Sequence, residues 1–169
     1  KSRLHFQSLS TAGSLRALRL AKEDGLMVTA ETNPAYFTLT SDAIATYDAN
    51  FKCFPPLRNE EDLAAISEAL SDGTIDCIAS AHNPQTRSAK EQTFEHAAAG
   101  MISLETTLSL TMKLVRSKVI SPMRLVELLS CSPARVLGLE KAAGSLRVGA
   151  QADFVLFDPK AEFVFEERS

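Results

Sequence analysis

Ile75-Asp76-Cys77-Ile78-Ala79-Ser80, running into Ala81-His82-Asn83-Pro84-Gln85-Thr86, is the stretch on which the reading of this chain turns. Its first half is a compact apolar run of the kind that fills a buried strand. Its second half is a polar loop holding a proline. A buried strand that opens into such a loop presents side chains at its C-terminal end, where α/β barrels carry their chemistry.

Working outward, the residues ahead of this strand predict a helix capped by Asn59, with Asp62 placed to answer the cap. Leu63, Ile66 and Leu70 point inward, and Gly73 ends it. Further back, Leu4 to Leu9 reads as a strand with Leu4, Phe6 and Ser8 on one face and His5, Gln7 and Leu9 on the other. Thr11 to Ser14 supplies a turn and a cap, and Leu15 to Asp24 reads as a helix with Gly25 as its stop. Leu26 to Thr32 is a second strand closed by Asn33-Pro34. Thr40-Ser41-Asp42 caps a short helix, and Phe51 to Phe54 reads as a third strand stopped by Pro55-Pro56. Strand and helix alternate with short links, which implies parallel strands joined by right-handed crossovers. About four strands are visible, whereas a closed eight-stranded barrel takes roughly 250 residues. The expected architecture is therefore half a barrel.

Downstream of Thr86 the pattern changes. Leu104, Leu108, Met112 and Val115 mark one face of a long helix. Ser121-Pro122 and Ser132-Pro133 each place a cap residue before a proline, predicting two further helices. Gly144 to Val148 and Phe154 to Phe157 read as a small hairpin-like appendix. The expected division is a barrel part over residues 1–140 and strands of a smaller unit over residues 141–169.

The 169 residues are 45% hydrophobic and 23% charged, which excludes disordered and fibrous classes. A formal net charge of -3 with interspersed signs argues against a nucleic-acid face. No apolar run approaches the ~20 residues that span a bilayer. Cys53, Cys77 and Cys131 are far apart in apolar surroundings, and read as buried free thiols in a reducing cytoplasm.

Three strand ends could carry chemistry. Ser8 lacks an adjacent base that would make it a nucleophile. His82 is the best single imidazole, although a lone loop histidine is more often merely hydrogen-bonded. His5 and His96 are weaker, and the three histidines lie apart from any carboxylate cluster. Asp76 begins its strand, on the face of such folds that serves stability. Glu31 and Asp42 show no pairing by spacing.

Several motifs, in order, resemble the C-terminal part of dihydroorotases, in the amidohydrolase superfamily. They are Leu4-His5-Phe6-Gln7 with Ser10-Thr11, Pro55-Pro56-Leu57-Arg58, Asp72-Gly73-Thr74-Ile75-Asp76, and Gly149 to Asp158. The resemblance implies an α/β fold: the C-terminal half of a (β/α)8, TIM-like metal-hydrolase barrel plus part of a small β-sandwich. It also implies zinc-bound hydroxide opening a cyclic amide, with an aspartate moving the proton. This chain departs from the pattern at each such position. Ser8 stands where the resemblance implies a zinc histidine, and Pro34-Ala35-Tyr36 where it implies Pro-His-His. Ala81 replaces the acid–base aspartate, and Phe54 and Gln85 replace substrate-contacting residues. No catalytic, metal or substrate residue is therefore expected, with His82 the one weak candidate for substrate binding.

The resulting expectation is an inactive dihydroorotase-like scaffold of pyrimidine biosynthesis, in the cytoplasm and without cofactor, partnered by aspartate transcarbamoylase. One alternative is an active zinc-dependent cyclic amidohydrolase that takes its ligands from an N-terminal half, and another is altered chemistry through His82. A half-barrel also exposes strand edges, so its own N-terminal half or a second copy is the expected partner for stability.

Overall fold

The structure, a computed structural model, describes residues 2–162 and 164–165. Three parallel strands, β1 (Leu4–Phe6), β2 (Val28–Thr32) and β3 (Cys77–Ile78), form a sheet in that order. Leu4 pairs with Val28 and Glu31 with Cys77, so the register runs straight across the three strands. Helix α1 (Ala12–Glu23) crosses from β1 to β2, and α2 (Glu60–Asp72) crosses from β2 to β3. The expected parallel βαβ rhythm is the observed one.

Helix α1 begins at Ala12, three residues ahead of the predicted start, because the Thr11 hydroxyl accepts from Ser14 N at 3.2 Å. Asn59 caps α2 by accepting from Asp62 N at 3.0 Å, and Gly73 ends it in the left-handed region with φ 88°. Asp62 does not return the favour to its own cap. Its carboxylate accepts from Ala12 N at 2.7 Å, so one acid at the start of α2 satisfies an orphan amide at the start of α1. The core lies between the sheet and these helices. Leu15, Ile66, Leu70, Ile75 and Leu128 are completely buried there, each stabilising the fold by about 1.5–3 kcal/mol through loss of apolar surface to water.

Four local expectations are corrected. Phe51 to Phe54 forms no strand: a 3-10 turn covers Ala49–Phe51. Lys52 then docks on the opposite loop, its carbonyl accepting from Gly100 N at 2.9 Å and its ammonium donating to Phe94 O and Glu95 O. The alternation predicted through Leu9 breaks at Ser8, where φ is +55°. That kink turns Leu9 onto the core instead of the face of His5. Leu104 precedes the next long helix, which follows α3 (Arg87–Lys90), and is exposed, whereas Leu108, Met112 and Val115 of α4 (Thr107–Arg116) pack inward as expected. Ser132-Pro133 does not open a separate helix. α5 (Pro122–Val126) passes through a π-helical turn over Glu127–Cys131 into α6 (Ser132–Val136) without leaving helical dihedrals. A wide turn is the way a helix accommodates a proline that lacks the N–H its ladder needs.

Beyond Gly144 the hairpin-like pairing is not formed among the described residues, which show only turns. Leu146, Val148, Phe154, Val155 and Leu156 are largely exposed there. Alternating apolar residues need a second layer to bury them, and the described chain provides none. The edge of β1 is similar: Leu4 and Phe6 are 52% and 39% exposed beside the exposed Leu26 and Met27. Among the described residues no helix is long and apolar enough to cross a membrane.

Candidate functional site

The ends of β1, β2 and β3 converge on one side of the sheet. After β1, Leu9 N donates to Glu31 O at 2.9 Å, and the Thr32 hydroxyl donates to Leu9 O at 2.8 Å. These bonds hold the half-buried Ser8 in its positive-φ kink. After β2, the Asn33 side chain accepts from Ala35 N at 3.1 Å and caps a 3-10 turn over Pro34–Phe37. That turn buries Tyr36, whose hydroxyl donates to Pro55 O at 2.7 Å. Burial, with the nearby Cys53, pushes the Tyr36 phenol up to about 12, and burial also raises the Cys53 thiol.

After β3, Ala81 sits at φ +51°. The following backbone bridges to Met101, with Asn83 N donating to Met101 O at 2.9 Å. His82 Nδ1 accepts from Ser103 N and Leu104 N, both at 3.2 Å. Two backbone donors on Nδ1 place the ring proton on Nε2. The imidazole thus pins the loop over 101–104, a structural duty that the bland reading of a loop histidine anticipates.

A cavity of about 120 Å³ lies between these ends, lined in part by Asn33, Ala35, Tyr36, Phe54, Ala81 and Asn83. The structure therefore brings Ala35, Tyr36, Phe54 and Ala81 together around one cavity. Ser8 and His82 are not in that lining. Gln85 is drawn to one side, its amide donating to Asn83 Oδ1 at 3.0 Å. Phe54 stands at the rim, 86% exposed.

The zinc implied by the resemblance does not fit these side chains. Ala35 and Ala81 have no donor atom, Ser8 offers a neutral hydroxyl, and Tyr36 holds its proton to about 12 while spending it on Pro55. Among the described residues no buried side-chain nitrogen or oxygen lacks a hydrogen-bond partner.

Gly100 keeps this end of the sheet closed. Its φ of +143° excludes most side chains, and a Cβ there would collide with the Asn83 carbonyl and stand 2.8 Å from Asn83 Nδ2. Gly100→Ala is expected to cost about 3 kcal/mol, combining backbone strain with overpacking. A urea melt checks this, and a loss under 1 kcal/mol contradicts the packing described.

Two residues set aside in the sequence turn out to be joined. His5 Nε2 lies 3.2 Å from Glu31 Oε2, and His5 Nδ1 lies 2.8 Å from Thr29 Oγ1. Their sequence separation hides a contact that parallel register creates. Asp76, by contrast, serves structure as predicted: it accepts from Ala30 N at 2.8 Å and pairs with Lys22 at 2.9 Å.

The amidohydrolase family model matches residues 1–169. Among similar proteins, the dihydroorotase of Desulfotalea psychrophila is 51% identical over 164 residues, covering 97% of this chain and 38% of that protein. The dihydroorotase of Geotalea daltonii is 48% identical over 165 residues, again covering 38% of its length. The chain thus spans under two fifths of these curated relatives. Among solved structures, dihydropyrimidinase from Brevibacillus agri superposes with TM-score 0.85 at 26% identity, over 90% of this chain and 35% of that one. L-Hydantoinase from Arthrobacter aurescens does so with TM-score 0.85 at 30% identity, over 89% of this chain and 34% of that one. These matches fix the fold class as α/β, the parallel strands and crossovers being part of a TIM-like barrel. The chain belongs to the amidohydrolase family.

Proposed function

We propose that this chain is the C-terminal part of a dihydroorotase-like protein of pyrimidine biosynthesis whose strand-end centre does no catalysis and which serves as a scaffold. One observation carries the reading. Around the strand ends, Ser8, Ala35 or Tyr36, and Ala81 stand where the resemblance implies two zinc ligands and the acid–base group. Losing an acid–base group alone lowers a rate about 10²- to 10⁴-fold. Losing imidazoles as well removes the ion that would bring the pKa of bound water from about 15.7 to about 7.

A scaffold needs surfaces. The apolar edge at Leu4, Phe6, Leu26 and Met27 suits the protein's own N-terminal half or a second copy, and residues 141–169 suit the small β-sandwich. Aspartate transcarbamoylase is the enzyme partner in this reading, and the cytoplasm its compartment. The intact protein is expected to show no hydrolysis of dihydroorotate and to co-elute with aspartate transcarbamoylase. Turnover above the uncatalysed rate overturns the reading in favour of an active amidohydrolase drawing its ligands from elsewhere in the protein.

A further inference from the structure

A second constellation lies lower on the sheet, on the face turned away from the helices. Thr32 and Ile78 point into the helix-packed layer, where both are buried. Strand alternation therefore puts Thr29, Glu31 and Cys77 on the opposite face, and the β1–β2 register adds His5. His5 precedes Ser8 by three residues, Glu31 precedes Ala35 by four, and Cys77 precedes Ala81 by four. Each of these three lies one residue before the end of its strand, the ends being Phe6, Thr32 and Ile78.

We propose that His5, Glu31 and Cys77 form a metal site for a zinc-class divalent cation, one ligand coming from each of three adjacent strands. The three ligand atoms lie within 4.8 Å of one another. Tetrahedral zinc with bonds of about 2.0–2.3 Å needs ligands about 3.3–3.8 Å apart, so side-chain adjustments of about 1 Å close the site. A nitrogen, an oxygen and a sulfur donor together suit zinc better than magnesium or calcium, which prefer oxygen alone. Thr29 Oγ1, 2.8 Å from His5 Nδ1, holds the ring so that Nε2 faces the Glu31 carboxylate. That is the outer contact a metal-ligating histidine requires, and Thr29 is here a positioning residue. Cys77 is only 3% exposed, and the His5 and Glu31 side chains are 22% and 18% exposed.

Binding is coupled to a proton. Burial, then the charges of Glu31 and Asp76, push the Cys77 thiol up to about 12, with Lys22 opposing them. The cation must therefore displace the S–H proton to solvent as the metal–sulfur bond forms, and affinity rises with pH. The role is structural, since the ion ties β1, β2 and β3 together below the cavity.

Cobalt(II) titrated into the intact protein tests this. The expected result is one equivalent bound with a sulfur-to-cobalt charge-transfer band that Cys77→Ser abolishes and Cys53→Ser and Cys131→Ser leave intact. Thr29→Val should weaken binding about 10- to 100-fold without moving the band. No band, or a band that survives in Cys77→Ser, overturns the site. Zinc-edge absorption on the zinc-loaded parent guards against a variant that fails to fold: one sulfur in the ligand shell supports the site, and a shell of nitrogen and oxygen alone rejects it. Dihydroorotate turnover reports on the strand-end reading and cobalt binding on this one, so either can fail by itself.

Discussion

Arg124→Ala is expected to lower the unfolding free energy by about 3 kcal/mol, the sum expected when a part-buried, fully engaged guanidinium is removed. Arg124 is 16% exposed at its side chain, and its fork reaches three elements. Nε donates to Leu70 O at 2.9 Å, Nη2 to Ile75 O at 2.7 Å, and Nη1 to Glu127 Oε2 at 2.8 Å. Leu70 lies in the last turn of α2, where carbonyls lose their helical partners, and Ile75 leads into β3. Truncation therefore leaves two carbonyls without their donor at the point where α2 turns into the decisive strand. At about 2–4 °C per kcal/mol for a chain of this size, the melting midpoint should fall about 6–12 °C. Arg124→Lys should recover only part of this, because an ammonium cannot bridge three acceptors with a planar fork.

The same variant changes the response to acid. Hydrogen bonds from Arg124 and then Arg135 hold the Glu127 carboxyl below the usual carboxylate range. A carboxylate depressed in the folded state stabilises above its unfolded pKa, about 4.3, and loses that contribution as pH falls through the folded value. Glu127 is 41% exposed, so solvent screening keeps the effect small. Arg124→Ala should flatten stability against pH below about 4.3. A midpoint shift under 2 °C, or an unchanged acid limb, contradicts this account of the contact.

What the sequence made legible was whatever depends on short range. The caps at Thr11 and Asn59, the stop at Gly73, the inward positions Ile66 and Leu70, and the burial of Ile75, Cys77 and Ile78 all follow from local periodicity and turn chemistry. The meeting of Ala35, Tyr36 and Ala81 at one cavity was legible too, because residues after parallel strands meet at one end of the sheet. Phe54 joins them from a loop that the sequence reads as a strand, and Ser8 does not join them. What stayed hidden depends on partners far along the chain. Phe51 to Phe54 has strand propensity but faces a loop, and Pro55-Pro56 removes two ladder donors. Asp62 reads as half of a local capping pair, yet its oxygen serves an amide 50 residues away. His5, Glu31 and Cys77 come together only once register is known, and no spacing in one dimension encodes that.

The backbone also records something that composition does not. Ser8 and Ala81 both sit at positive φ, +55° and +51°, in a region that costs an ordinary L-residue about 1–2 kcal/mol. Aspartate, asparagine and histidine enter that region several-fold more readily than other non-glycine residues. The framework therefore holds Ser8 and Ala81 in conformations better suited to the histidine and aspartate that the resemblance implies there. Strain of this kind concentrates at functional sites, and here it persists at two of the strand ends.

That persistence leads to the largest functional effect to expect. Ser8→His, Ala35→His and Ala81→Asp together, in the intact protein, should restore dihydroorotate hydrolysis about 10²- to 10⁴-fold above any one of them alone. Ala81→Asp by itself should stay at the parent's rate, since a carboxylate has no metal-bound water to act upon. It should nonetheless fold at least as well as the parent, because aspartate tolerates the left-handed backbone that alanine resists. Ser8→His should likewise leave the melting midpoint intact, while Ala35→His alters a half-buried position inside a 3-10 turn and should cost some stability. The steady-state rate of the triple variant against its three singles, with melts on all four, decides the matter. Turnover in a single variant would mean that the parent retains a working cation centre. A triple variant that binds zinc at the strand ends and stays inert would mean that more than these side chains has been lost from the framework.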